Sequence, residues 1–354
     1  MGSATIADVA EQAHVSTATV SRVLNRTGRV SPATRERVLG VARELGYRPS
    51  GVARSLKLRV TRTLGLIVTD IENPFFPSLV RAVEDAARAE GYAILLGNAS
   101  DDPEREAGYL DLLVERRVDG VIIAASSLGD RQGEWLADPP LPVVLVNTTP
   151  AGIRLPAISS DNRAGAREAA AHVIGLGHRR LGFLAAPASR NADSPIRMSG
   201  VRDAMAAAGL DPDGLRVATG AAVVSGGEAA MAELLSARVR PTAVLAYNDL
   251  MAIGSLRAVR AAGLACPADV SVVGFDDLEL ARYVEPALTT VAQDKARMGS
   301  LAVRTLARLL RPDSGTEATH EGHGPGEAES LRADETVTLP TALRVRASTA
   351  PPRG

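Results

Sequence analysis

Residues Thr5–Asn25 read TIADVAEQAHVSTATVSRVLN. Thr5 is placed to cap a helix, with Asp8 three residues on to help satisfy the free amides at its start. Ile6, Val9 and Ala10 then fall at helical spacing and form a buried stripe. Ala13, His14 and Val15 make a short turn, and Ser16 caps a second helix running to about Asn25. On that helix Val20, Val23 and Leu24 share one face, while Thr17, Ala18, Ser21 and Arg22 lie on the other. Ser31 caps a third helix, with Pro32 in its first turn, where a missing amide costs nothing. Val38, Val41, Ala42 and Leu45 point inward, and Gly46 stops the helix. Two short helices joined by a tight turn, the second presenting small polar residues and an arginine, make a helix-turn-helix. Small side chains admit such a helix to the major groove, and a guanidinium offers paired donors to guanine O6 and N7. Periodicity alone is also met by a small helical bundle without a nucleic-acid role.

Charge separates this head from the rest of the chain. Residues 1–60 carry ten basic side chains (nine Arg and Lys57) against Asp8, Glu11, Glu36 and Glu44, a balance of +6 that leaves −7 on the remainder of a chain with net charge −1. A basic head on an acidic body points to a polyanion-binding module attached to something else. The 354 residues suffice for two or three domains, and 45% hydrophobic with 23% charged residues is a globular composition. No run of 18 apolar residues exists, which excludes a helical membrane span, and no membrane partner is expected. The start MGSATIADVA lacks the pattern of a cleaved secretion signal, and the single cysteine, Cys266, excludes an internal disulfide and a thiolate zinc cluster. A cytoplasmic, nucleoid-associated protein is expected.

The Thr5–Asn25 segment, the stretch LGYRPSGVARSLK at 45–57 and TLGLIVTDIENPFF at 63–76 closely resemble the lactose-repressor/galactose-repressor family of transcription regulators. The resemblance covers essentially the whole chain except about 312–335. It implies a headpiece over residues 1–48, a hinge over 49–60 and a two-lobed, periplasmic-binding-protein-like effector core of parallel α/β sheets over 61–354. The implied partners are a double-stranded operator, a small-molecule effector and a second copy of the chain in a homodimer. Arg22 is then expected to read guanine, with Thr17 and Ala18 setting specificity. Ser16, Thr19, Asn25 and Arg29 are expected to hold phosphates, and Thr5, Ser21, Ser31 and Tyr47 complete the DNA-facing set. In the hinge, Pro49 and Ser50 break and then cap a short segment in which Ala53 and Leu56 share a face. A helix this short is marginal alone and is expected to form against its dimer mate on DNA. The family leucine matching Leu56 wedges into the minor groove, and Arg54 and Lys57 lie near phosphates or the groove floor.

Beyond residue 60 apolar strands alternate with helical stretches. The strands are read at Leu64–Thr69, Ala93–Gly97, Gly120–Ala124, Val143–Val146, Leu181–Ala185, Ala243–Ala246 and Val270–Gly274. Helices such as Leu79–Glu90, Arg163–Ile174, Gly226–Ser236 and Leu250–Ala262 lie between them, the rhythm of parallel sheets covered on both faces. The resemblance implies an N-lobe of about 61–160 and 292–320 and a C-lobe of about 161–291 and 335–354. The chain is expected to cross between lobes near 160, 290 and 325–335, with 312–335 a Gly/Pro/Glu-rich flexible insertion.

Ligands bind such sheets at the carboxyl ends of the strands. Candidates there are Asp70, Asn73, Phe75 and Phe76 after the first strand, the two rings serving as a stacking wall or as packing for the helix start. Asp161 follows the fifth strand and is either a cleft residue or a helix cap. Arg197 matches the family arginine that contacts effector, and Asp276 a family acid that accepts ligand hydrogen bonds. Asn248 and Asp249 open a helix, as cap or as site, and Gln293 lies at a crossing. Polar groups around aromatic walls suit a sugar or nucleoside-like ligand. Ala221-Ala222-Val223-Val224 stands where many family members place a stacking aromatic, and Trp135 is expected far from the cleft.

No catalytic arrangement stands out. Gly175-Leu176-Gly177-His178 is too short for a dinucleotide fingerprint and follows a helix, and His320-Glu321-Gly322-His323 has the wrong spacing for a helical zinc site. No cofactor and no metal are expected. The reading is an effector-regulated repressor of a near-palindromic operator. The alternative is a stand-alone sugar-binding protein without a DNA role.

Overall fold

The computed structural model describes residues 4–24, 27–47, 60–124, 130–148, 153–189, 191–311, 330–332 and 334–353. Asn25, Ala53, Arg54, Leu56, Lys57, the rest of the hinge and nearly all of the 312–335 insertion lie outside the described residues. The chain divides into two compact units, residues 1–61 and 62–354.

In the first unit, helices α1 (Ile6–Gln12), α2 (Thr17–Leu24) and α3 (Pro32–Glu44) enclose a core of Val9, Ala10, Ala13, Val20, Val23, Val38 and Ala42. The caps form as the local sequence dictates. Thr5 and Asp8 make a reciprocal capping box, Asp8 N donating to Thr5 Oγ1 at 3.3 Å and Thr5 N to Asp8 Oδ2 at 2.7 Å. Those bonds hold the Asp8 carboxyl below its ordinary range. Ser16 Oγ accepts from Thr19 N at 3.2 Å, and Ser31 Oγ from Thr34 N at 3.2 Å. Arg37 Nε donates to Ala13 O at 3.0 Å, so α3 ties down the turn between α1 and α2.

The second unit holds two six-stranded sheets. The first contains β1 (Thr63–Val68), β2 (Ala93–Asn98), β3 (Gly120–Ala124), β4 (Val143–Val146), β5 (Ala157–Ser160) and β11 (Thr336–Leu339), ordered β11-β5-β4-β3-β1-β2. Its helices are α4 (Phe75–Ala89), α5 (Pro103–Glu115), α6 (Asp130–Ala137) and α11 (Lys295–Leu309). The second contains β6 (Leu181–Ala185), β7 (Arg216–Thr219), β8 (Ala243–Ala246), β9 (Ser271–Asp276), β10 (Thr289–Ala292) and β12 (Ala342–Arg344), ordered β12-β10-β9-β8-β6-β7. Its helices are α7 (Asn162–Gly175), α8 (Asp193–Ala207), α9 (Val224–Ser236) and α10 (Asp249–Ala261). All pairings are parallel except β10 with β12. β3 and β4 are buried throughout and β1 from Leu64 onward, which accounts for their unbroken apolar runs.

One crossing differs from the sequence expectation. β11 pairs with β5, Thr336 opposite Ala157, so residues 336–339 belong to the first sheet. The third passage between lobes therefore falls at Pro340-Thr341, not at 325–335. The reason is non-local: the edge of β5 accepts a parallel strand, a pairing that hydropathy along 335–354 does not encode.

Close helix approach replaces large side chains between α9 and α10. A Cβ on Gly254 would sit 1.9 Å from Val224 O, well inside van der Waals contact. Gly254→Ala is expected to cost about 1–3 kcal/mol by overpacking, read as a lower urea midpoint at unchanged slope. An unchanged midpoint would show that the two helices separate freely.

Candidate functional site

A cavity of about 260 Å³ lies at the carboxyl ends of both sheets, within the second unit. That is near the lower end of the ~300–1,000 Å³ usual for small-molecule sites. The first lobe contributes Thr69, Asp70 and Asn73 after β1, Phe75 and Phe76 at the start of α4, Asp101 after β2 and Asn147 after β4. The second contributes Asp193 and Arg197 of α8, Ala221-Ala222-Val223 after β7, Tyr247 and Asn248 after β8, and Asp276 at the end of β9.

Arg197 organises the second wall. Its guanidinium lies 3.7 Å from the Phe275 ring centroid and 4.7 Å from that of Tyr247, and the residue is only 3% exposed. Nε donates to Asn162 Oδ1 at 2.8 Å, and Nη1 donates to the Tyr247 carbonyl. Asp276 Oδ1 is 3.8 Å from Nη1 and Asp193 Oδ2 is 4.0 Å from Nη2. Burial pushes the Asp193 and Asp276 carboxyls up, and the Arg197 charge works against that shift.

Gln293 connects the lobes. Its Nε2 donates to Asp276 Oδ1 at 2.6 Å, and its Oε1 accepts from Ser160 Oγ at 2.7 Å and from Asn147 Nδ2 at 3.2 Å. Lys295 Nζ donates to Asp276 O at 2.5 Å and lies 5.7 Å from the Phe75 ring centroid. In the first wall Asn73 Oδ1 accepts from Phe75 N at 3.0 Å, and Asp70 Oδ1 from Glu72 N at 3.0 Å, which shapes the turn before α4. Phe75 and Phe76 meet edge to face with centroids 5.3 Å apart.

The structure therefore brings Asp70, Asn73, Phe75, Phe76, Arg197, Asn248, Asp276 and Gln293 to one cavity. Asp161 and Asp249 do not line it. Asp161 caps α7, accepting from Ala164 N at 2.9 Å, and lines a separate open groove beside α7 and α8. Its short side chain serves the nearest free amide of the helix it begins. Asp249 is fully buried behind the wall, where Oδ2 accepts from Leu278 N at 2.7 Å and Oδ1 from Thr290 Oγ1 at 2.5 Å. A Cβ on Gly274 would come 2.1 Å from Asp249 Oδ1, so β9 must carry glycine there. The bond to Leu278 supports the loop whose residues Asp276 (φ 118°) and Asp277 (φ 47°) turn the acid toward the cavity. Sequence reasoning missed Thr69, Asp101, Asn147, Asp193 and Tyr247. All but Asp193 follow a strand end, the same signal that found the others. Trp135 packs in the first lobe with Leu136 and Leu145, not at the cavity.

Desolvation, helped by the Asp276 charge, pushes the Asp249 carboxyl up to about 8. An unfolded aspartate titrates near 3.9. Between about pH 4 and 8 the unfolded chain loses this proton while the folded chain keeps it, so stability falls as pH rises through that window. Asp249→Asn, a neutral mimic that still accepts from Leu278 N, is expected to flatten the fall of Tm between pH 5 and 8. An equal slope in variant and parent would remove Asp249 as its source.

In the first unit, Thr17, Ala18 and Arg22 are exposed on α2, opposite buried Val20 and Val23, with Ser21 beside them half-buried. Arg29 is exposed and Tyr47 half-buried. Thr5, Ser16 and Ser31 act as helix caps, and Thr19 Oγ1 lies 3.0 Å from Ser16 Oγ.

A model of the bacterial regulatory proteins, lacI family, matches residues 5–50, and a periplasmic binding protein-like domain matches residues 170–349. The HTH-type transcriptional regulator GalS of Salmonella typhimurium is 38% identical over 316 residues, spanning 89% of this chain and 93% of that protein. The chain belongs to the LacI family. The HTH-type transcriptional repressor PurR of Mannheimia succiniciproducens is 35% identical over 321 residues, 90% of this chain and 96% of that one. The lac repressor dimer bound to operator and the anti-inducer ONPF shares the fold with TM-score 0.84 and 28% identity, covering 99% of this chain and 100% of the other. As a LacI-family member with a helix-turn-helix and a periplasmic-binding-protein-like effector domain, the protein is a transcriptional repressor, and its relatives are regulators rather than enzymes. Among the described residues no helix is long and apolar enough to cross a membrane, and no His/Cys/Asp/Glu group is arranged to hold a metal.

Proposed function

We propose that this LacI-family repressor binds a near-palindromic operator as a cytoplasmic homodimer and that a small polar effector, a sugar, occupies the cavity between its lobes. The supporting observation is that cavity: hydrogen-bonding on both sides, and bridged from one lobe to the other by Gln293. On the DNA side Thr17, Ala18, Ser21 and Arg22 read bases, while Ser16, Thr19, Arg29 and the cap residues Thr5 and Ser31 meet phosphates at helix starts.

A saccharide is favoured over a purine. Phe75 offers one ring to a sugar face, and Ala221, Ala222 and Val223, just before α9, put small aliphatic side chains rather than a stacking ring on their part of the wall. Curated and solved relatives include a ribose operon repressor and a regulator crystallised with cellobiose.

The effector acts by binding one lobe arrangement better than another. A coupling of about 1–3 kcal/mol changes operator affinity about 5–150-fold. The test is operator binding at ~0.15 M salt, using a site selected from random DNA, with and without a sugar that raises Tm. A change in that range is expected. Equal operator affinity with the cavity filled and empty would refute effector control, and binding without salt dependence would refute the headpiece assignment.

A further inference from the structure

The charges around the cavity narrow the effector beyond its being polar, an inference that rests on the cavity being the effector site. Asp70, Asp101, Asp193 and Asp276 line it, and Arg197 is the one cation among the described lining residues. That cation is already engaged. Its faces are covered by Tyr247 and Phe275, its Nε and Nη1 donate within the protein, and both its carboxylate neighbours are cavity acids. An anion approaching the guanidinium would also meet the Asp193 and Asp276 carboxylates, 4.0 and 3.8 Å from its terminal nitrogens. Lys295, the nearest other cation, gives its Nζ to Asp276 O beside Phe75. Among the described residues, two cations thus face four carboxylates around this cavity.

An anionic ligand would add like charge to an acid-lined space. A ligand rich in hydroxyl donors suits it, since ionised carboxylates only accept. A ligand carrying an ammonium suits it better, because it supplies the missing counter-charge to acids that burial already disfavours as anions. We propose that the effector is a monosaccharide-sized polyol without an anionic group, and that an amine in place of one hydroxyl strengthens its binding. Phosphorylated sugars and nucleotides are excluded by the same charges.

The test uses the full-length protein and two matched sets: D-galactose, D-galactosamine and D-galactose 6-phosphate, and D-glucose, D-glucosamine and D-glucose 6-phosphate. Thermal shift ranks them and calorimetry gives Kd. In at least one set the amino sugar is expected to bind about 10-fold tighter than its parent, with no binding by the phosphate. Asp193→Asn is expected to reduce that preference to about 3-fold or less. Should that variant not fold, Asp70→Asn, at a partly exposed turn, is expected to shrink the preference in the same direction. A phosphosugar binding as well as its parent, an amine that gives no gain, or a preference untouched in the variants overturns the charge inference and leaves the effector site standing. Silence of both sets and of D-ribose and cellobiose overturns the effector site itself.

Discussion

Arg197→Ala is expected to cost the folded core about 3–5 kcal/mol, the range for breaking a buried ion pair by removing one partner. The side chain is 4% exposed and stands between two carboxylates at 3.8 and 4.0 Å. Its loss leaves Asp193 and Asp276 without their shared cation, Asn162 Oδ1 without the Nε donor, and an empty slot between the Tyr247 and Phe275 rings. The sign of its pH dependence follows. Burial already raises both carboxyls, and removing Arg197 raises them further, so the variant regains stability where they are protonated. The deficit against the parent protein should therefore grow from pH 5 to pH 8 in urea denaturation. Arg197→Lys keeps the charge but not the planar group that two rings can sandwich, and is expected to recover only part of the loss. A deficit independent of pH would mean the arginine acts by packing alone. In either variant, operator binding should no longer respond to a sugar that acts on the parent.

Arg22→Ala is expected to remove about 1–3 kcal/mol of discrimination at one base pair in each half-site, while affinity for random DNA changes far less. Arg22 sits on the exposed face of α2, and its stem runs close to Gly28, whose φ of 70° turns the backbone after that helix. Its neighbours on that face are small, so the guanidinium is the longest donor the helix offers to a groove. In a symmetric dimer the loss counts twice on a palindrome. The check is competition between a selected operator, single-base variants of it and random duplex. Equal loss on all three would reassign Arg22 from bases to phosphates.

Much of this protein was legible because much of it is local. Thr5, Ser16 and Ser31 cap the helices they precede, and Val20 and Val23 are buried where a period of 3.6 puts them. Likewise, eight of the ten cleft candidates line the cavity because parallel strands deliver their following loops to one edge. The two that do not line it share a cause. Asp161 and Asp249 also follow strands, but an aspartate there can face a ligand, a helix amide or a neighbouring loop, and only the packed neighbours choose.

The amino-acid order alone specified a capped, basic three-helix reader, an alternation of strands and helices, and the strand ends at which a ligand would be met, since each depends on contacts within a few residues or on the handed rules of parallel sheets. Tertiary packing decided which edge β11 joins, which aspartates see the cavity and which are buried behind it, and which groups surround Arg197. Those outcomes depend on groups far apart in the chain, whose competition for one donor or one sheet edge is settled only when the lobes are assembled.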